Sequence, residues 1–162
     1  MSWRSAFLLQ AQSDNRVRRA LNSGHIEYAH QLHFLQMAAE KLAKGFATPE
    51  AEVCPPAKVH HAFVRFLHAL KRRQDIQHQL GYPKSDSFTW FVKSVLPLAE
   101  KVEHLAPNFA GTTQPNPEYP WQATPAHRVI APAEFEFPEF DARSPEMARL
   151  VWLVDQLLRI VT

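Results

Sequence analysis

Residues 28–46 read YAHQLHFLQMAAEKLAKGF, and within them Tyr28, Leu32, Leu35, Ala39, Leu42 and Phe46 recur at steps of 4, 3, 4, 3 and 4. That alternation lines one face of an α-helix and has the form of a bundle seam. The spacing predicts a helix over 25–46. The adjacent Ala38 and Ala39 leave room for a second helix to approach closely. Upstream, residues 1–48 contain no proline, and a first helix is predicted over 2–22. Trp3, Phe7, Val17 and Leu21 lie on one line of it, with the polar Gln10 and Asp14 in the middle of that line.

Downstream, Thr48-Pro49 and Pro55-Pro56 mark a loop. Val59, Phe63, Phe66 and Leu70 then give a third helix over 58–80, ending near Gly81. A fourth starts at Ser85 or Asp86, either of which suits an N-cap. Its core face is Phe88, Phe91, Val95, Leu98, Val102 and Leu105, and Pro97 should kink or split it. Ser144-Pro145-Glu146 is a helix start with cap, proline and acid in their preferred places. The last helix follows over 144–161. The four glycines (24, 45, 81 and 111) fall at or near predicted helix ends, as C-cap glycines do. Eight prolines between 107 and 145 forbid a long helix or a central strand there. Tyr119, Trp121, Phe135, Phe137 and Phe140 give that stretch enough apolar surface to lie ordered against the bundle. A short extended piece is possible at Phe135-Glu136-Phe137. The expectation is an all-α, antiparallel bundle of four to five helices with a long Pro-rich, ordered loop before the last helix. It forms a single domain over 1–162: bundle 2–106, packed loop 108–143, final helix 144–161.

Composition narrows the function classes. The 162 residues are 46% apolar and 21% charged, with a formal net charge of +2. That balance does not announce a nucleic-acid partner. The one cysteine, Cys54, excludes an intramolecular disulfide and a Cys-rich zinc site. No apolar run approaches 18 residues, so no membrane span is expected. Met1-Ser2-Trp3-Arg4 lacks the features of a secretory signal, and the expected location is cytoplasmic.

In order along the chain, several segments resemble HEPN domains. His33-Phe34-Leu35-Gln36-Met37-Ala38-Ala39-Glu40-Lys41-Leu42-Ala43-Lys44 is similar to the second-helix signature of that family. Asp14 falls where many members carry an acid on the first helix. His60-His61 looks like the family's third-helix start. Asn116-Pro117-Glu118-Tyr119-Pro120-Trp121 resembles the Arg-Tyr-Pro segment before the final helix, and Ala148 fits the last helix. The resemblance implies an all-α bundle acting either as an RNase in toxin–antitoxin and defence systems or as a non-catalytic partner of a nucleotidyltransferase. The family's RNase motif is an Arg, then four to six intervening residues, then a His. Where it is expected, this chain has Glu118.

Four constellations could carry chemistry. Arg73 and His78 stand at the RNase spacing, with His as acid/base on a ribose hydroxyl and Arg on the phosphate. Lys58, Arg65, Lys71, Arg72 and Arg73 form a basic run without an acid, and Lys58, Arg65 and Arg72 are the candidate RNA- or nucleotide-binding residues. The acidic residues Glu134, Glu136, Glu139 and Asp141 could instead cover that run, in the same chain or in a dimer mate. Asp14, Gln36, Glu40, Lys41 and Lys44 read as a structural polar cluster between helices one and two, fixing their register. His30, His33, His61 and His68 could gather on facing helices, but no carboxylate repeats with them, and neither metal nor cofactor is expected. The favoured function is a non-catalytic HEPN-like binding or partner module, as a homodimer or beside a partner protein such as a nucleotidyltransferase. The alternative is a metal-independent ribonuclease with a displaced motif on Arg73 and His78.

Overall fold

The computed structural model describes residues 1–22, 24, 26–51, 62–106, 114–123 and 128–161. It is an all-α bundle. Helix α1 spans Trp3–Leu21, α2 Tyr28–Ala47, α3 Ala62–Leu70, α4 Gln74–Gln79, α5 Ser85–His104 and α6 Pro145–Ile160. Between α5 and α6 stand a two-stranded antiparallel hairpin, β1 Trp121–Ala123 with β2 Arg128–Ile130, and two single 3-10 turns. Helix α1 packs along α2, α2 meets α3, α5 and α6, α3 meets α5, and α6 closes against α5 and α1.

The α2 seam is buried as the spacing requires: Leu32, Leu35, Ala39 and Leu42 are at most 2% exposed, with Tyr28 and Phe46 packed at its ends. The α5 face and the α6 residues Met147, Leu150, Val154 and Leu157 are buried too. Ser144 caps α6, its Oγ accepting from the Met147 N–H at 3.1 Å. Helices α1 and α2 run antiparallel. Asp14 meets Lys41, and a Cβ placed on Gly45 would fall 2.5 Å from Leu8 Cδ2.

Several elements differ from the sequence expectation. The third helix is not continuous over 58–80. It stops at Leu70, and Arg72 N–H and Arg73 N–H close a tight turn onto Ala69 and Leu70 carbonyls before α4 begins. Continuing the helix would bring Arg73 and Gln74 onto the line of Phe63, Phe66 and Leu70. The turn resets the register so that Ile76, 1% exposed, enters the core instead. The expected start of that helix, with Lys58, Val59, His60 and His61, lies outside the described residues, as do Cys54 and Gly111.

Helix α5 runs unbroken past Pro97, which stands on its exposed side. Its N-cap is Lys84, not Ser85 or Asp86, and no side chain caps it. The buried stripe of α1 lies one position round from the expected line. Leu8, Ala11, Asn15 and Arg18 face inward beside Asp14, while Trp3 and Val17 are exposed.

Gly45 is inside α2, not at its end. Gly81 does terminate a helix. Its φ is +78°, and Tyr82 N–H reaches the Gln77 carbonyl while Gly81 N–H reaches His78, the two bonds of a Schellman end.

In the 108–143 stretch, Trp121, Phe137 and Phe140 are buried and Phe135 packs against them, with Trp121–Phe135 and Phe135–Phe137 edge contacts of 5.0 and 4.9 Å. Tyr119 is the exception, being exposed. Phe135–Phe137 is not an extended strand, because Phe137 takes the left-handed conformation, φ 49°, between two Pro-initiated turns. Residues 108–113 and 124–127 of the stretch lie outside the described set.

Candidate functional site

Three groups of polar side chains are built into the bundle. The first joins α1 to α2. Lys41 Nζ donates to Asp14 Oδ2 at 2.7 Å, and Gln10 Nε2 donates to Asp14 Oδ1 at 2.9 Å. One turn on, Gln36 Nε2 donates to Glu40 Oε2 at 3.0 Å, and Lys44 pairs with the other oxygen of Glu40. The five cluster residues thus form two neighbouring networks along α2, and only the Asp14–Lys41 bond crosses between helices.

His33 stands beside the first network. Its Nδ1 lies 3.9 Å from Glu118 Oε2. Burial pulls the His33 pKa below its ordinary value; Glu118 opposes that, and the positive Lys41 adds to it. Glu118 is held by a turn in which the buried Asn116 Oδ1 accepts from the Glu118 and Tyr119 N–H groups at 3.1 and 2.6 Å. The Tyr-Pro segment therefore docks beside α2 and presents a carboxylate there.

The second group escaped the sequence reading. Arg18 is 9% exposed; its Nε donates to Asn15 Oδ1 at 2.8 Å and its terminal nitrogen to Asp155 Oδ1 at 2.9 Å, while Asn15 Nδ2 donates to the same oxygen at 2.6 Å. This triad ties α1 to α6. The available signal was Asp155, the one charged residue between Leu150 and Leu158. A carboxylate in an apolar helix needs a buried cation or donors to meet it.

The third group is a cleft of about 330 Å³ between the C-terminal end of α2 and α3. Its floor is Phe66, Ala69 and Leu70, with Phe46 stacked on Phe66 at 4.8 Å. Lys44, Arg65 and Arg73 line it, and among the described residues no carboxylate does. The Arg73 guanidinium lies 6.0 Å from the Phe46 ring centre. Thr48 is there too, its hydroxyl donating to the Lys44 carbonyl at 2.7 Å.

The candidate residues distribute unevenly over these groups. Arg65 and Arg73 share the cleft; Arg72 is exposed outside its lining, because the α3–α4 turn removes it from the Arg65 face. Lys58 is outside the described residues. Arg73 grips Asp75 with two bonds of 2.8 and 2.6 Å, which holds the Asp75 carboxyl down at about 2. His78 is exposed on α4 and does not line the cleft. Among the described residues no ion pair joins the acidic segment to the basic run: Glu139 pairs with Lys101 of α5 at 2.9 Å, and Asp141 accepts from the Arg143 N–H.

His30 stands 3.9 Å from Glu27, and His68 bonds Lys71. Among the described residues, no three His, Cys, Asp or Glu side chains converge as a metal site would require. No helix among them is long and apolar enough to cross a membrane. Compared with protein-family models, curated proteins and solved structures, the chain matches none.

Proposed function

We propose that this chain is a non-catalytic, HEPN-like binding module that engages RNA or a nucleotide phosphate through the cleft between α2 and α3, as a homodimer or beside a partner protein such as a nucleotidyltransferase. The observation that carries this reading is the cleft lining: three cations, Lys44, Arg65 and Arg73, around aromatic side chains and, among the described residues, without a carboxylate. A phosphate is attracted to such a surface, and a base can stack on its rings. Lys44 and Arg73 already have acidic partners in Glu40 and Asp75. Arg65 forms no ion pair among the described residues, so its charge is the one available to a ligand.

The same pairings weigh against the ribonuclease alternative. Arg73 would have to release Asp75 to hold a scissile phosphate, and His78 does not line the cleft beside it. Fluorescence anisotropy with a labelled single-stranded RNA tests the reading. Binding should weaken with salt, log K falling by roughly 0.7 per phosphate contact for each decade of salt. Arg65→Glu should weaken binding, and the RNA should remain uncut. Cleavage of the RNA by wild type, lost in His78→Ala, would establish the ribonuclease instead.

A further inference from the structure

We infer that the cleft is a single-nucleotide subsite, in which one unstacked base enters between the Phe46 ring and the Arg73 guanidinium while its phosphate sits on Arg65. This deepens the proposed function and rests on it.

Phe46 is covered on one side by Phe66, nearly parallel to it at 26° and 4.8 Å. Arg73 stands over the ring at 6.0 Å from its centre. Planar groups stack at roughly 3.5 Å, so a base between ring and guanidinium needs about 7 Å. The 6.0 Å from the guanidinium carbon to the ring centre falls short of that, so Arg73 must swing outward to admit a base. Asp75 keeps the guanidinium in place at the edge, through two hydrogen bonds, and both partners are largely exposed, so the pair can move as a unit.

Charge decides where the phosphate goes. Lys44 is matched by Glu40 and Arg73 by Asp75, which leaves Arg65 as the cation of the lining without an ion pair among the described residues. The space, about 330 Å³, is at the small end of ligand sites and suits one nucleotide, not a run of stacked bases. The shared chemistry is a base with its 5′- or 3′-phosphate. Its source is either a free nucleoside monophosphate or one splayed nucleotide of single-stranded RNA.

The test compares labelled hexa-adenylate with an abasic hexamer of the same charge, on the full chain. Wild type should prefer hexa-adenylate by about tenfold, as one stacked base contributes. Phe46→Leu should erase that preference while abasic binding persists, and Arg73→Ala should erase it while weakening both probes; circular dichroism confirms that both remain helical. Arg65→Glu should weaken both probes. If the two hexamers bind wild type equally, the base subsite is wrong while the basic-cleft reading stands. If neither hexamer binds, both fail. Unlabelled AMP separates the sources: displacement of hexa-adenylate identifies a free nucleotide as ligand, and retained hexa-adenylate preference without displacement identifies the strand. Preference for hexa-adenylate that survives both Phe46→Leu and Arg73→Ala would overturn the proposal.

Discussion

Lys41→Ala should destabilise this protein much more than Lys44→Ala, although the two lysines are three residues apart on one helix. The Lys41 ammonium bonds an Asp14 carboxylate whose side chain is 8% exposed, across the α1–α2 interface. Removing it leaves that carboxylate with one neutral donor, Gln10. Breaking a fully buried pair costs about 3–5 kcal/mol. The Lys41 side chain keeps 19% of its exposure, so water can partly replace the ammonium, and about 2 kcal/mol is expected. Lys44 makes an i,i+4 pair with Glu40 within one helix, at side-chain exposures of 22% and 34%. Such pairs contribute about 0.3–0.5 kcal/mol, and loss of its stem brings the cost of Lys44→Ala to under about 1.

For a chain of this length each kcal/mol moves Tm by roughly 2–4 °C. Lys41→Ala should therefore lower Tm by about 4–8 °C, and Lys44→Ala by less than about 4 °C. Urea unfolding followed by tryptophan fluorescence gives the two free energies directly. A second arm isolates the charge: adding Asp14→Asn to Lys41→Ala should recover part of the loss, because a neutral amide tolerates that position better than a lone carboxylate. Equal urea midpoints for the two lysine variants, or no recovery in the double variant, would refute the argument that a buried inter-helix pair holds this register.

Gly45→Ala should destabilise by about 1–2 kcal/mol despite the better helix propensity of alanine, since its Cβ would meet Leu8 Cδ2 at 2.5 Å and Cγ at 2.7 Å; a Tm at or above wild type counts against that close approach. Tyr28→Phe should cost about 1 kcal/mol by removing the 2.6 Å hydroxyl bond to the Phe140 carbonyl. The Tyr28 phenol, pushed up to about 12 mainly by burial, should titrate well above the other tyrosines by ultraviolet difference absorbance.

His33 is held below its ordinary value of 6.5, so between its folded pKa and 6.5 the unfolded chain binds more protons than the folded one. Its contribution to stability is thus fully present above about pH 6.5 and is lost as pH falls. The urea midpoint of His33→Gln should fall less steeply than that of wild type through that window.

The periodic faces of α2, α5 and α6 were legible because each repeats apolar side chains at helical spacing over four or more turns, and burial follows that repeat wherever no polar residue intrudes. Ser144 was legible as a cap for an equally local reason: its hydroxyl serves an N–H three residues away. The break after Leu70 was not legible, since Lys71-Arg72-Arg73 are good helix formers and only the depth of Ile76 in the core forces the turn.

On α1 the apolar residues misled. Trp3 and Val17 are exposed, while Asn15 and Arg18 are buried, because Asp155 arrives from a helix 137 residues later to meet Arg18. By itself the sequence determined where chain segments coil and which of their faces are apolar, quantities set by neighbours within a few residues. Tertiary structure alone decided which polar groups are satisfied inside and which cations share a cleft. The pairings join Asp14 to Lys41 and Arg18 to Asp155 across different elements, since a buried charge is tolerated only where packing brings its partner within hydrogen-bond reach, and the same packing sets Lys44 of α2 beside Arg65 and Arg73 around one cleft.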